Sequence, residues 1–413
     1  MKTIPAPGGS AASASTWRVP FHRAELDEAA LTAVEAVLRS GWLTTGSQSR
    51  GFETAFAEHL GGEVEAVAVN SGTAALHLGL EALGVQRGDL VITTPYTFTA
   101  TSEVISHLGA DPLFIDVDPV TGNLTADRVD AVVARLQPSV RARITALVPV
   151  HIAGFACDMT ALQQLATQHG WGLVDDAAHA LPSTHDRRLI GTLGDVTAFS
   201  FYVTKTLCTG EGGMAVTRDP DLAARMRVMR LHGIDRDVFD RYTTPDAWAY
   251  EVVAAGFKYN LTDIAAAIGL TQLRSLDTDQ ARRAAIATAY SNALATLEGI
   301  DTPPMPPPGD QHAWHLYPLR VRDGTAVRGA LIRQLASRGI GASVHFIPLH
   351  HHRHYQRTYR LNVDTFPDAT RLFQQEVSLP IFPAMTDEQV QMVVEAIPAA
   401  LADARSEVSL TTV

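Results

Sequence analysis

The sequence predicts an α/β fold: a mostly parallel central sheet flanked by helices, with a smaller C-terminal part. Three observations predict it. Between residues 64 and 217, short apolar or β-branched runs alternate with stretches of helical periodicity, the pattern that builds strand–helix–strand units. The stretch Pro303-Pro304-Met305-Pro306-Pro307-Pro308-Gly309 then breaks regular structure, and a second, shorter set of elements follows it. The chain's 413 residues, 46% of them hydrophobic, suffice for two domains, or one large domain with an appendage.

Residues 1–16 are rich in Ala, Ser, Pro and Gly and lack the apolar core of a signal peptide, so they read as a disordered tail. Residues 25–39 carry Leu31, Val34 and Leu38 at helical spacing and read as the opening helix. A loop, Gly41-Trp42-Leu43-Thr44-Thr45-Gly46, precedes a second amphipathic helix over residues 52–60. Strands are expected at residues 64–69, 90–93, 113–117 and 144–149, at 172–174 leading into Asp175-Asp176, and at 197–202 and 214–217. Helices are expected between them at 74–83, 126–136 and 159–169, and after them at 222–230. Residues 264–276 and 278–297 read as two further helices with a domain join near Leu276. That gives a large domain of residues 17–276 and a small one of residues 277–413. In the small domain, residues 315–320 read as a strand, 327–338 as a helix, and a last helix begins at Asp387.

The net charge of −11 leaves no basic excess to neutralise a phosphate backbone, so a nucleic-acid partner is not expected. No apolar run approaches the ~20 residues that span a bilayer. The two cysteines, Cys157 and Cys208, make no disulfide framework and fit a reducing cytoplasm. Cys208 reads as a small apolar filler.

The chemistry concentrates between Asp175 and Gly213. The strand Gly172-Leu173-Val174 runs into Asp175-Asp176-Ala177-Ala178-His179, and the next strand runs into Lys205, followed by Gly210-Glu211-Gly212-Gly213. Taken singly, Lys205 is an ordinary exposed lysine and Asp176 an ordinary helix N-cap. Placed together at strand ends, where groups face a crevice, they suit pyridoxal 5'-phosphate (PLP). The lysine would hold its aldehyde as a Schiff base, and a carboxylate would keep its pyridine nitrogen protonated. Upstream, Asn70-Ser71-Gly72-Thr73 lies between a strand and a helix. Ser71 or Asn70 caps that helix in the ordinary reading, and the same free backbone N–H groups suit an anion. Phe98 is either core or a ring that stacks on a flat cofactor. Asp116 and Asp118 could pair on a metal, but Pro119 and Gly122 favour a turn. His345, His350, His351, His352 and His354 have the density of a zinc site, but no Cys, Asp or Glu lies in that run; no metal is expected. Gly210-x-Gly212-Gly213 lacks the spacing of a dinucleotide-binding turn.

Three ordered motifs, residues 174–180, Phe199-Ser200-Phe201-Tyr202-x-x-Lys205 and residues 209–213, resemble the DegT/DnrJ/EryC1/StrS family of PLP-dependent sugar aminotransferases. The likeness runs from about Phe21 to about Ala400. It implies PLP fold type I, the aspartate aminotransferase-like architecture, with a C-terminal α+β domain. It implies Lys205 and Asp176 as catalytic residues, with Gly72, Thr73 and Ser200 on the PLP phosphate. Phe98 would stack on the ring, His179 would lie near the ring oxygen, and Asn260 would reach the phosphate of a partner subunit. Trp42, Thr44 and Thr45 would lie near the sugar, with His345 and Tyr317 as further substrate-side residues.

The activity implied is transfer of an amino group, from glutamate by resemblance, to a keto-sugar of a nucleoside-diphosphate sugar by a cytoplasmic homodimer with shared active sites. His179 leans the acceptor toward a 4-keto-6-deoxy sugar. A 3-keto sugar, a cyclitol or an aminobenzoate precursor would use the same motifs, and a non-catalytic PLP-fold regulator is the alternative of another class. The family's dehydratases replace the lysine with histidine, so Lys205 argues against that chemistry.

Overall fold

Apolar runs bounded by polar turns become the strands of a seven-stranded sheet in the computed structural model, which describes residues 17–235 and 249–411. The tail expected over residues 1–16 lies outside the described residues. In chain order the strands are β1 (Glu65–Val69), β2 (Leu90–Thr93), β3 (Asp111–Phe114), β4 (Ile144–Leu147), β5 (Gly172–Asp176), β6 (Thr184–His185), β7 (Arg188–Leu189), β8 (Val196–Ser200) and β9 (Gly213–Thr217). The central sheet has the order β1-β9-β8-β5-β4-β2-β3, and β6 and β7 form a separate hairpin. Parallel pairing joins β3, β2, β4, β5 and β8, whereas β9 runs antiparallel to both β8 and β1. Both faces are covered. One packs the cluster around Phe52, Phe56, Ile92, Leu173 and Phe199, the other the cluster around Leu78, Val91, Val174 and Ala215, which is why these strands read as nearly continuous apolar runs.

Helix starts follow the sequence's capping residues. Asp27 caps Glu28–Ser40, Ser71 caps Gly72–Ala82, Asp158 caps Met159–His169 and Thr262 caps Asp263–Leu294, each accepting a hydrogen bond from a first-turn N–H.

Two expectations are corrected. The strand expected over residues 113–117 ends at Phe114. Beyond it the Asp116 carboxylate accepts from Asp368 N and Ala369 N, capping the helix Pro367–Gln375. The two helices expected on either side of Asp277 are one helix of 32 residues, Asp263–Leu294; Asp277-Thr278 holds neither glycine nor proline, so nothing there breaks it.

That long helix leads to a second core. Strands β10 (Ile300–Asp301), β11 (Tyr317–Val321) and β12 (Glu376–Leu379) form an antiparallel sheet. Its inner face packs with Ile286, Tyr290, Leu331, Val393 and Leu401 of the surrounding helices. Val19 joins the same cluster and bridges to Ile340, so the start of the described chain is tied to its C-terminal third.

Candidate active site

A cleft of about 550 Å³ opens where strands β5 and β8 end beside the start of the helix Gly72–Ala82. Asp176, Ser200, Lys205, Gly72, Thr73, Phe98, His179 and His345 all line it. Parallel pairing of β5 with β8 sets Asp176 opposite Ala198, which brings two strand ends, far apart in sequence, to one edge.

Asp176 is buried at the floor. Its Oδ2 accepts from Thr101 Oγ1 at 2.7 Å, and its Oδ1 accepts from Ala178 N at 3.2 Å. Thr101 Oγ1 in turn lies 2.8 Å from Thr97 Oγ1. Burial raises the Asp176 pKa from its ordinary value; the hydrogen bonds from Thr101 and Ala178 and the positive charge of Lys205 work against it. Lys205 sits in the turn after β8, its N–H bonded to Tyr202 O at 2.9 Å. Burial lowers its pKa to about 8, with Asp176 opposing. A buried carboxylate and a half-buried amine with opposed shifts in one cleft are the signature of acid–base chemistry.

At the opposite end, Ser71 Oγ accepts from Ala74 N at 3.1 Å and so leaves the first N–H groups of the helix free for a ligand. Gly72 is required there: a Cβ on it would stand 2.8 Å from Ser200 Cβ. Ser200 and the helix start therefore share one anion-sized corner. Phe98, 60% exposed, presents its ring to the cleft.

Three imidazoles, of His179, His315 and His345, complete the wall. His179 Nδ1 accepts from Ala153 N at 3.2 Å, which leaves the ring proton on Nε2. Its ring packs against His315 at 4.4 Å and Phe346 at 5.7 Å. Burial, with Lys205 and the neighbouring histidines, holds its pKa well below 6.5. His345 Nδ1 lies 2.8 Å from Ser378 Oγ.

Other expected residues lie elsewhere. Asn260 donates to Thr45 Oγ1 at 2.7 Å, Thr45 donates to Leu261 O at 2.6 Å, and Trp42 Nε1 donates to Thr45 O at 3.1 Å. Asn260, Trp42, Thr44 and Thr45 do not line the cleft of their own chain. Tyr317 is corrected as a substrate residue: it is fully buried in the C-terminal core, and its hydroxyl is 3.0 Å from Ser291 Oγ. In the histidine run, His350 and His351 both contact Thr370 Oγ1, at 2.9 and 3.0 Å, and only His345 of that run reaches the cleft.

Sequence reasoning missed Thr101, His315, Glu211 and Phe346, all of which touch the cleft or Asp176. Glu211 alone carried a signal, since it stands in the Gly210-Glu211-Gly212-Gly213 turn after Lys205. The residues present fit PLP: an anion corner, a buried carboxylate, a lysine and an exposed aromatic face lie around one cavity of matching size.

The family model described as the DegT/DnrJ/EryC1/StrS aminotransferase family matches residues 24–398. The chain is 43% identical over 382 residues to the spore coat polysaccharide biosynthesis protein SpsC of Bacillus subtilis, covering 92% of this chain and 96% of that one. The PLP-form of Spr1654 from Streptococcus pneumoniae superposes with a TM-score of 0.84 at 29% identity, covering 94% of this chain and 99% of that one. Helicobacter pylori PseC, an aminotransferase involved in the biosynthesis of pseudoaminic acid, superposes with a TM-score of 0.85 at 27% identity, covering 93% and 99%.

Proposed function

The chain belongs to the DegT/DnrJ/EryC1/StrS aminotransferase family and is a PLP-dependent sugar aminotransferase, and from that premise we propose that it aminates a nucleoside-diphosphate keto-sugar, a 4-keto-6-deoxy sugar, with L-glutamate as donor. The observation that carries this reading is the gathering of Lys205, Asp176 and the Ser71–Gly72 helix start around one cleft.

When bound, PLP supplies an electron-withdrawing ring that makes the proton beside the substrate nitrogen labile. The Gly72 and Thr73 N–H groups and the Ser200 hydroxyl would hold its phosphate. Asp176 would keep a proton on the ring nitrogen, and Phe98 would lie against the ring. Lys205 would tether the group and then carry the proton. An amine whose pKa is lowered to about 8 by burial exchanges a proton readily near neutral pH. His179, its Nδ1 occupied by Ala153 N, keeps Nε2–H as the donor it would offer to an oxygen of the bound group.

The working unit in this reading is a homodimer in which Asn260, with Trp42, Thr44 and Thr45 beside it, completes the partner's site. The position of these residues outside their own cleft supports it. Residues 17–276 form the PLP-binding domain and residues 277–413 the smaller domain, a division supported by the separate core around β11 and β12. Two buried, unpaired cysteines support a cytoplasmic setting, and among the described residues no helix is long and apolar enough to cross a membrane.

The test is incubation of holoenzyme with glutamate and a panel of 3-keto and 4-keto nucleotide sugars, followed by mass. The expected result is amination of a 4-keto-6-deoxy sugar. Amination of 3-keto sugars alone, or of none, contradicts the proposal.

A further inference from the structure

Behind His345 lies a buried carboxyl group that the reaction described above does not use. Glu376, on β12, is 2% exposed. Its Oε2 accepts from His345 N at 2.7 Å, and its Oε1 is hydrogen-bonded to Ser378 Oγ. Ser378 Oγ is also 2.8 Å from His345 Nδ1. An unbroken chain therefore runs from carboxyl to hydroxyl to imidazole, and the imidazole lines the cleft beside Lys205. The histidine is held from every side: Tyr96 Oη donates to His345 O at 2.8 Å, and Phe21 stacks on its ring at 5.5 Å. Ser378 is fixed by two backbone hydrogen bonds with Ser343, at 3.1 and 2.9 Å.

We propose that Glu376, Ser378 and His345 form a proton relay that joins this buried carboxyl group to the cleft, so that His345 exchanges a proton with a substrate oxygen while its ring stays neutral. The inference rests on the aminotransferase reading of the cleft.

The direction of each hydrogen bond follows from proton counting. Glu376 Oε2 faces an N–H and always accepts, so any proton on the carboxyl group sits on Oε1. With Oε1 protonated, Glu376 donates to Ser378, Ser378 donates to His345 Nδ1, and the imidazole presents Nε2–H to the cleft. With Glu376 ionised, every bond reverses: Ser378 donates to Glu376, His345 Nδ1–H donates to Ser378, and Nε2 is left as an acceptor. Passing between the two states moves three protons one step each and breaks no bond between heavy atoms. The proton leaving Nε2 goes to the substrate oxygen, and Glu376 ends as the carboxylate. The reverse sequence recharges it.

The surroundings suit both states. Among the described residues no cation is within ion-pair distance of Glu376. Arg328 acts on it from its own helix, and Tyr96 and Arg320 face the same region. Burial pushes the carboxyl group up to about 8. The groups facing His345 are Lys205, His179 and His315. Burial and Lys205 lower its pKa to about 4, which excludes an imidazolium as the acid at neutral pH. A neutral imidazole can give up a proton only if another arrives at Nδ1, and Ser378 supplies that route. Replacing a carbonyl oxygen by nitrogen expels the oxygen as water, so the oxygen needs a proton donor in place.

The test reads the protein before it reads activity. Nitrogen-15 spectra of histidine-labelled holoenzyme, with the signal of His345 assigned by its loss in His345→Asn, report the tautomer. The expected result is a change from Nε2–H to Nδ1–H as pH rises through about 8. Glu376→Gln, whose amide donates to Ser378 at every pH, locks the Nε2–H form. In single-turnover reactions, Ser378→Ala slows amine transfer roughly 100-fold, and Ser378→Thr, which keeps the hydroxyl, restores most of it. A single tautomer across the pH range in the unmodified protein, or Ser378→Ala at the unmodified rate, overturns the relay. Failure of every keto-sugar to react would sink the functional reading instead, while the tautomer result and turnover of the amino acid alone still decide the relay.

Discussion

At the scale of single residues, Asp176 is the point where structure and chemistry meet. A carboxylate on an apolar floor drifts toward its neutral form, and a neutral acid cannot keep a proton on a pyridine nitrogen. The Thr101 hydroxyl at 2.7 Å is the foremost of the groups that resist that drift, ahead of Ala178 N–H and Lys205. Thr101→Val, which keeps the volume and removes the donor, should raise the Asp176 pKa further and cut amine transfer about tenfold, with folding retained. A rate unchanged in steady-state assays would remove Thr101 from this role. Asp176 and Lys205 were legible in the sequence because each follows a recognisable strand. Thr101, His315 and the pair Glu376 and Ser378 were not, because their meaning lies in contacts with residues 75 or more positions away, or in a neighbour strand's register. Tyr317 shows the converse: the family resemblance implies a substrate-side place for it, but strand alternation on β11 turns it into the core.

At the scale of elements, the site depends on how closely the helix Gly72–Ala82 approaches the end of β8. With the Cβ of any larger residue set 2.8 Å from Ser200 Cβ, the two elements must separate. Gly72→Ala should therefore weaken PLP binding about tenfold, read by cofactor titration, with the fold intact. Titration curves matching those of the unmodified protein would contradict the close-approach account. Strand positions were legible as apolar runs because both sheet faces are buried. Strand direction was not: Gly213–Thr217 reads as one more apolar strand, yet it runs against its neighbours, because a short turn after Lys205 returns the chain alongside β8. The expected break between two helices near Leu276 was misread because the change of partner, from the large sheet to the C-terminal core, takes place along one continuous helix without a breaker.

At the scale of the whole molecule, buried titratable groups bound the pH range in which the fold is stable. His151 and His312 are lowered to about 3, His77 and His345 to about 4, all by burial first. Their unfolded forms bind protons near pH 6.5, so the unfolded state gains protons first and stability falls as pH drops below that value. Asp175 and Glu376 are raised to about 8, again by burial first. Their folded forms hold protons that the unfolded chain has already lost, so stability declines as pH rises from the ordinary carboxylate range through about 8. Melting temperatures measured across pH should fall on both sides of a maximum near neutral, and Asp175→Asn should flatten the alkaline side. A monotonic profile would contradict this.

The central claim is that Lys205 is the residue that carries PLP. Reduction of purified holoenzyme with borohydride, digestion and peptide mass spectrometry tests it most directly. The account predicts a pyridoxyl group on the peptide containing Lys205 and its loss in Lys205→Ala; a label on another lysine, or none, would contradict it.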